Sequence, residues 1–316
     1  MMRSPPRIAT TSRLVRGLLV AFAGCAAAAC QSGDGEADPG FERIGAEAAQ
    51  VAEVFDVTAE PQDSIIFAER IEWALGAGLA TMPVGDAIVA LGRTFVGAPY
   101  TPGTLELEGP ERLIVNLREL DCVTYVETVL AMVRVIRAGT PDYASFQREL
   151  VRIRYRDGFL AGYPSRLHYF SEWISNNESK GIVRDVTHEL GGDARAGDLG
   201  FMTSHRAAYR QLQDEQITAE IARIEATLSG QQRYFIPQGS IAAMQAGIRD
   251  GDIIAATSSL EGLDVAHTGF AIWIDNQLHL MHAPLVGSVV EISDRPLAER
   301  IQRINTQNGI MVARPQ

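Results

Sequence analysis

The spacing of apolar residues changes along this chain of 316 residues, and that change limits the fold class. Helical spacing occurs in residues 41–55, 64–76, 83–95, 122–139 and 167–174. Short runs that predict strands follow at residues 198–202, 252–256, 267–274, 278–283 and 289–292. Residues 275–277 are the expected hairpin turn, and residues 206–247 are an insertion of helical and loop-like pieces. Helices first and an antiparallel sheet later predict an α+β fold.

The N-terminus has the pattern of an export signal. Residues 1–17 carry four arginines and no acidic residue, and residues 18–29 form an apolar stretch that ends before Cys30. Because a membrane-spanning helix needs roughly 20 apolar residues, this shorter stretch predicts a signal peptide. The cysteine that follows Ala27-Ala28-Ala29 predicts a lipoprotein signal with Cys30 as the lipidated residue. Cleavage before Cys25 would leave too short an apolar core, and an ordinary cleavage near Ala29 is the alternative.

The predicted signal peptide determines the domain boundaries and the cellular compartment that we expect. We expect a signal peptide at residues 1–29, a tether and N-terminal helix at 30–63, and a single domain at 64–316. The exported protein would be periplasmic, and its only membrane contact would be the lipid on Cys30. Removal of the four leader arginines takes the formal net charge from −11 to −15. So acidic a protein lacks the basic surface that binds nucleic acids or anionic membranes.

Cys122 is the only cysteine after residue 30, so it has no disulfide partner within the mature chain. It follows Asp121, a suitable N-cap, at the start of a helix that Gly139 ends. The unpaired N–H groups and the dipole of a helix start lower the pKa of a thiol and stabilise an oxyanion. These features suit a cysteine nucleophile. A buried cysteine acting as a small apolar residue is the alternative, which the position at the helix start disfavours.

Two histidines in predicted strands are candidates for a general base and its orienting partner. His267 begins one strand, where Gly269 leaves room beside the ring, and His282 lies in the next strand. His279 has the opposite strand parity to His282, so the two cannot face one site. A zinc site formed by these histidines is the weaker alternative, because no H-E-x-x-H or paired-cysteine spacing is present. We therefore expect no metal and no cofactor.

Five ordered motifs together resemble those of a known superfamily. They are Gly97-Ala98-Pro99-Tyr100, Asp121-Cys122, Gly251-Asp252-Ile253-Ile254, His267-Thr268-Gly269 and Met281-His282-Ala283. Their order resembles that of the NlpC-type papain-like cell-wall cysteine peptidases. Residues 99–106, 120–127 and 165–174 are similar to the N-acetylmuramoyl-L-alanine amidase-like branch, long catalogued as a domain of unknown function. The resemblance covers residues 84–313.

This resemblance implies a fold and a set of catalytic roles. The fold would be papain-like, with the nucleophile helix packed on an antiparallel sheet or half-barrel and with helical insertions. Cys122 would be the nucleophile, His267 the general base and His282 the orienting third residue. The Tyr100 hydroxyl would join the backbone N–H of Cys122 in an oxyanion hole, and a simple turn aromatic is the alternative.

Five further residues are candidates for contact with the substrate. Asp121 and Thr124 are expected to line the cleft, or else only to cap and pack the helix. Arg166, Tyr169 and Trp173 would form a wall facing the sugar, since a cation and aromatic rings suit a lactyl-saccharide and peptide carboxylates. An amphipathic helix with core aromatic residues is the alternative for these three.

The implied reaction is hydrolysis of the amide between N-acetylmuramic acid and L-alanine, in peptidoglycan or in its fragments, the muropeptides. The domain at 64–316 would then be catalytic, and its chemistry would pass through a thiol acyl-enzyme. A stem-peptide endopeptidase on the same scaffold is one alternative. A non-catalytic lipoprotein that binds muropeptides is the other.

Overall fold

A computed structural model describes residues 55–285 and 288–316 of the chain. The predicted signal peptide, the lipidation site Cys30, the tether and nearly all of the helix predicted at 41–55 lie outside these residues. The described residues belong to the unit Val54–Gln316. Among them, no helix is both long enough and apolar enough to cross a membrane.

The described residues form nine α-helices and ten strands. The helices are α1 (Pro61–Gly76), α2 (Val84–Arg93), α3 (Cys122–Arg137), α4 (Tyr143–Arg154), α5 (Phe170–Ser179), α6 (Phe201–Ser204), α7 (Glu215–Ser229), α8 (Ile241–Met244) and α9 (Leu297–Arg303). The strands are β1 (Val57–Thr58), β2 (Leu113–Ile114), β3 (Val183–Asp185), β4 (Asp193–Arg195), β5 (Arg233–Pro237), β6 (Ile253–Ser258), β7 (Val265–Ile274), β8 (Gln277–His282), β9 (Glu291–Ile292) and β10 (Gln307–Pro315). This mixture confirms the predicted α+β class.

Eight of these strands form one antiparallel sheet in the order β4-β5-β10-β6-β7-β8-β9, with β3 also paired to β10. The sheet has unpaired ends at β4 and β9 among the described residues, so it is open there and does not close into a barrel. The strands β1 and β2 form a separate parallel pair. The Asp275-Asn276 turn joins β7 to β8, and positive φ angles of 49° and 62° at its two residues suit a tight hairpin.

The two faces of the sheet bury different helices. On one face, Phe270 of β7 packs in the core with α3, and its ring lies 5.6 Å from that of Tyr125. On the other face, Ala271 packs in a second core with Leu297 and Ile301 of α9. Burial of an aliphatic side chain the size of leucine or isoleucine contributes about 1.5–3 kcal/mol. The sheet is therefore held between α3 and α9.

The helix α3 lies in the interior of this arrangement. Almost every residue from Thr124 to Ile136 is buried, so this part of the helix has no solvent-exposed face. A helix that is buried on all sides is typical of the centre of a domain. The buried carboxylate of Glu127 is paired with Arg154 of α4 at 2.7 Å, which neutralises the charge inside the core. The ion pair thus joins α3 to α4 within the core.

The prediction of a strand at residues 198–202 is wrong. The backbone N–H groups of Gly200 and Phe201 both donate to the Gly262 carbonyl, and a short helical turn, α6, begins there. Leu199 and Met202 face a small separate core beside α7 rather than the main sheet. Local packing against the inserted helix therefore overrides the strand pattern of this segment.

Four strands of the sheet are absent from the sequence-based prediction: β3, β4, β5 and β10. The omission of β10 matters most, because this strand lies between β5 and β6 in the centre of the sheet. Its residues 310–313 are all buried, so the strand is a continuous apolar run without alternation. Such a run is ambiguous between a strand and a buried helix. The helix α4 was also not predicted.

Candidate active site

Cys122 is the first residue of α3, and a reciprocal cap fixes its position. The Asp121 carboxylate accepts hydrogen bonds from the N–H of Val123 at 3.1 Å and of Thr124 at 2.8 Å. The Thr124 hydroxyl in turn accepts from the N–H of Asp121 at 2.9 Å. This capping box satisfies donors that a helix start otherwise leaves open. The structure thus shows Asp121 and Thr124 in the capping role that was the alternative to lining a cleft.

The Cys122 thiol is protonated at neutral pH. Cys122 as a residue is half-buried. Burial of its sulfur raises the pKa of the thiol to about 12, and the Asp121 carboxylate adds to this. The backbone N–H groups of Thr268, Cys122 and Val123 lower the thiol pKa. The predicted effect of the helix start is therefore present, but burial and the capping carboxylate outweigh it.

Tyr100 lies beside the start of α3. It forms a parallel bridge with Leu120, and the Leu120 carbonyl accepts from the N–H of Thr101 at 3.3 Å. Its own N–H donates to the Ser288 carbonyl at 2.7 Å, so the loop is held from two sides. Burial, with smaller contributions from Cys122 and Asp121, raises the pKa of Tyr100 to about 12. The hydroxyl is consequently a hydrogen-bond donor near the thiol at neutral pH.

The rings of His267 and His282 are hydrogen-bonded to each other. Nε2 of His267 lies 2.8 Å from Nδ1 of His282, and the ring planes are nearly perpendicular at 87°. His267 pairs across the strands with Ala256, which belongs to the core on the α9 side of the sheet. Strand alternation therefore places both imidazoles on that side.

Gly269 allows this contact. A Cβ atom added there would lie 2.8 Å from Cβ of His282 and 2.7 Å from the carbonyl oxygen of Met281. Any larger residue would push the His282 strand away. The glycine two residues after His267 thus provides space beside the imidazole pair, as the sequence predicts.

Both imidazoles are neutral at pH 7. Burial and the Arg300 guanidinium lower the pKa of His267 to about 3. Burial, His267 and Arg300 together lower the pKa of His282 to about 2. A hydrogen bond between two neutral imidazoles needs one ring to donate and the other to accept.

The Cys122 thiol lies against the backbone of β7, the strand that contains His267. The N–H of Thr268 acts on the Cys122 sulfur, and Thr268 follows His267 directly in β7. Arg300 of α9 acts electrostatically on Cys122 as well as on both imidazoles, so all four groups lie at one end of the sheet. Among the described residues, no hydrogen bond joins the thiol to an imidazole. Such bonds are often long before substrate binds.

His279 is turned away from this pair. It pairs with Ile272, on the opposite parity to His282, and its Nδ1 lies 2.9 Å from the Ser293 carbonyl oxygen. The parity argument from the sequence is thus correct in selecting His282 as the neighbour of His267. Within residues 55–285 and 288–316, no three His, Cys, Asp or Glu side chains are grouped to hold a metal ion.

Tyr169 and Trp173 are interior residues. The Tyr169 hydroxyl donates to Glu225 at 2.6 Å, and the residue is 2% exposed. Trp173 is fully buried, stacks on Phe170 at 4.8 Å, and donates its Nε1–H to Glu127 at 3.2 Å. The prediction that these rings face a sugar is not supported, because neither is accessible. They are core aromatics, which was the alternative.

Arg166 is likewise engaged within the protein. Its guanidinium donates to Glu106 at 2.8 Å and to the Leu105 carbonyl at 3.2 Å, and its Nε lies 3.4 Å from Glu111. The group also lies over the Tyr163 ring, 4.8 Å from its centroid. A buried arginine with these partners is not free for a substrate carboxylate. Its predicted place in the sugar-facing wall is therefore not supported either.

Two charged residues near the imidazole pair were not found from the sequence. Glu291 of β9 lies opposite His282, with Oε1 of Glu291 3.8 Å from Nε2 of His282. Arg300 of α9 is the cation that lowers the pKa of both histidines. Glu291 falls in a predicted strand, but its register against β8 does not follow from spacing alone.

Comparison with known proteins places the chain in a family. Residues 90–310 match the AmiA-like family, described as N-acetylmuramoyl-L-alanine amidase-like. The chain belongs to this family. The match includes Tyr100, Cys122, His267 and His282, so the family region contains the whole candidate site.

Solved structures agree with the family assignment. An N-acetylmuramoyl-L-alanine amidase from Bacteroides uniformis is 37% identical, with a TM-score of 0.70 over 74% of this chain and 99% of that one. A structure named as a putative xylanase from Bacteroides fragilis is 38% identical, with a TM-score of 0.67 over 71% and 98%. A protein from Legionella pneumophila, at 21% identity and a TM-score of 0.59 over 79% and 94%, supports the fold alone. No curated protein matches the chain.

Proposed function

We propose that this protein is a cysteine amidase that hydrolyses the N-acetylmuramoyl-L-alanine amide of peptidoglycan or muropeptides. One observation carries the proposal: His267, which is hydrogen-bonded to His282 of the next strand, directly precedes Thr268, whose backbone N–H acts on the Cys122 sulfur. Membership of an amidase-like family and likeness to a bacterial amidase support the same bond type. We further propose that the fold is a papain-like fold of the NlpC type.

In the resting enzyme the thiol and the imidazoles are neutral, so proton transfer accompanies attack. His267 accepts the thiol proton as the Cys122 sulfur bonds to the lactyl carbonyl carbon. The backbone N–H of Cys122 and the Tyr100 hydroxyl donate to the oxyanion that forms. When the C–N bond breaks, His267 returns the proton to the amine of L-alanine, and a muramyl thioester remains on Cys122.

The thioester is then hydrolysed by the same groups. Neutral His267 takes a proton from water as the water oxygen attacks the thioester carbonyl. The C–S bond breaks, the proton goes from His267 to the sulfur, and the muramyl carboxylic acid leaves and gives its remaining proton to the solvent. His282 keeps the His267 ring in one orientation during both steps.

The test is product analysis by mass spectrometry. Wild-type protein incubated with muropeptides should release free stem peptide that begins with L-alanine, and Cys122→Ala should release none. His205→Ala is the matched histidine control, because His205 lies at the end of α6 with its Nδ1 2.9 Å from the Phe201 carbonyl oxygen. Full activity of Cys122→Ala would overturn the proposal. Cleavage after D-glutamate, with the lactyl amide intact, would instead identify a stem-peptide endopeptidase.

A non-catalytic muropeptide-binding protein is the second candidate. The specific observation in its favour is the raised thiol pKa of about 12, together with the lack of a thiol–imidazole hydrogen bond among the described residues. Retention of a labelled muropeptide without turnover, by protein with unmodified Cys122, would support this candidate. Turnover by the wild type and its loss in Cys122→Ala would exclude it.

We also propose that the protein is exported to the periplasm and anchored there by a lipid on Cys30. The arginine-containing leader and the Ala27-Ala28-Ala29-Cys30 sequence support this location. Metabolic labelling with a radioactive fatty acid should mark the wild type and not Cys30→Ser. Equal labelling of both proteins would place the lipid elsewhere, and Cys25 would then be the residue to replace.

A further inference from the structure

Glu291 and His282 face each other across the paired strands β8 and β9. Oε1 of Glu291 lies 3.8 Å from Nε2 of His282, and the two residues are direct partners in the strand register. The His282 side chain is 1% exposed, whereas that of Glu291 is 41% exposed. The carboxylate is therefore at the surface, directed at a ring that is buried.

Nε2 of His282 is buried and has no hydrogen-bond partner among residues 55–285 and 288–316. A buried polar atom left without a partner destabilises the folded protein. The other ring nitrogen of His282 is occupied by His267. Among the described carboxylates, that of Glu291 is the one within 4 Å of the free nitrogen. A shift of roughly 1 Å by this exposed side chain would bring it to hydrogen-bond distance.

The His267–His282 bond allows two arrangements of protons, since both rings are neutral. In the first, His267 donates its Nε2–H to Nδ1 of His282, and His282 carries its own proton on Nε2. In the second, His282 donates its Nδ1–H to Nε2 of His267, and Nε2 of His282 is a bare lone pair. Only the first arrangement offers Glu291 a donor.

The arrangement also decides whether His267 can act as a base. Its Nε2 is used in the bond with His282, so a thiol proton can go only to Nδ1. In the first arrangement Nδ1 of His267 is unprotonated and can accept. In the second arrangement Nδ1 already carries the ring proton, so it has no lone pair with which to accept the thiol proton.

We propose that Glu291 is a positioning residue that accepts the Nε2–H of His282 and thereby keeps Nδ1 of His267 free to receive the Cys122 proton. This inference rests on the proposed cysteine mechanism. It adds a fourth member to the chain of contacts, which runs from Glu291 through His282 and His267 to the thiol. Glu291 does not itself touch the reacting atoms.

Burial and two neighbouring charges act on the Glu291 carboxyl. Burial raises its pKa, Arg300 of α9 lowers it and Asp294 raises it, and the net change is a rise. Arg300 and His267 act on His282. The Arg300 cation thus favours the ionised Glu291 carboxylate, which accepts a hydrogen bond and so favours the first arrangement.

The direct test is nitrogen NMR of the resting protein labelled with ¹⁵N-histidine, because ring-nitrogen shifts separate protonated from unprotonated nitrogen. In the wild type, Nδ1 of His267 should be unprotonated and Nε2 of His282 protonated. In Glu291→Ala, the signals should show a mixture of the two proton arrangements. In Glu291→Gln, they should show the first arrangement, since the amide oxygen of glutamine can also accept the hydrogen bond from Nε2–H of His282. Glu299→Ala, which removes an exposed carboxylate of α9 that is paired with Arg295, should leave the signals unchanged.

Activity gives the second readout. Glu291→Ala should lower kcat on the order of tenfold with little change in KM, and Glu291→Gln should retain most of it, since loss of an orienting partner acts on proton transfer. The inference would be overturned if Nδ1 of His267 were protonated in the wild type. It would also be overturned if the ring-nitrogen signals were unchanged in Glu291→Ala. Because the signals are read on unreacted protein, this failure is distinct from failure of the proposed function, in which the wild type releases no peptide.

Discussion

Nε2 of His267 lies 2.8 Å from Nδ1 of His282, although 15 residues separate them in the sequence. The hairpin turn at Asp275-Asn276 and the small Gly269 make this contact possible. The pair stands beside the strand residue Thr268, whose N–H reaches Cys122. The candidate site therefore depends on one hairpin and one helix start.

The His267–His282 contact predicts that substitution of His282 lowers activity far more than substitution of His279. His282→Ala should lower kcat by about 10²–10⁴-fold with a small change in KM, because the His267 ring loses its orienting partner. His279→Ala is the matched control on the same strand and should stay within about threefold of the wild type, since His279 faces the other side. Steady-state kinetics on a muropeptide checks both. Equal losses in the two variants would argue against a specific role for His282.

The position of Tyr100 predicts a loss of transition-state stabilisation when its hydroxyl is removed. Tyr100→Phe should lower kcat by roughly 10²–10³-fold, the range for loss of one oxyanion donor. Tyr143→Phe is the control, because Tyr143 packs against Phe67 and Phe146, away from α3's first residue. Unchanged kcat in Tyr100→Phe would show that this tyrosine is only a turn aromatic.

The lowered histidine pKa values predict that acid destabilises the protein. The folded pKa values of His267 and His282, about 3 and about 2, lie below their ordinary value of 6.5. The unfolded chain therefore binds protons that the folded protein does not, and stability is lost as the pH falls from about 6.5 toward 3. Each histidine contributes at most about 1.4 kcal/mol per pH unit.

Urea unfolding at a series of pH values measures this loss. His282→Asn should show a shallower decline than the wild type between about pH 6 and pH 4, because one of the two neutral imidazoles is gone. Parallel declines in the two proteins would mean that other groups cause the acid sensitivity. The comparison at pH 7 gives the cost of the substitution itself.

Much of this arrangement follows from local sequence, and some does not. The Asp121 cap, the helix from Cys122 and the His267 and His282 strands depend on neighbouring residues, so spacing and parity predict them. The central strand β10 was missed because its buried run Ile310–Ala313 has no alternation. The segment at 198–202 was misassigned because contacts with the distant helix α7 decide its conformation.

Two features of the site depend on the folded environment alone. The sign of the Cys122 pKa shift comes from burial and the Asp121 charge, which outweigh the local effect of the helix start. The contact of Glu291 with His282 depends on the register of β8 against β9. Burial of Tyr169 and Trp173 is likewise a tertiary property, so aromatic spacing could not separate a cleft wall from a core.

The buried ion pair beneath α3 predicts a large loss of stability when it is broken. Arg154 and Glu127 are both almost fully buried, and Trp173 also donates to Glu127. Arg154→Ala should lower the free energy of unfolding by about 3–5 kcal/mol, because Glu127 is left as an uncompensated charge. Arg184→Ala, which removes an exposed pair with Glu189, should cost less than about 1 kcal/mol. Urea unfolding of both variants at neutral pH measures the two losses, and equal losses would contradict this account of the buried pair.

The most direct measurement of the central claim is to trap the acyl-enzyme. Wild-type protein mixed with a muropeptide and quenched in acid within one turnover should carry one muramyl group, and peptide mapping should locate it on Cys122. Cys122→Ala should carry none and should leave the amide intact. Turnover without any adduct, or an adduct at another residue that persists in Cys122→Ala, would contradict the thiol mechanism.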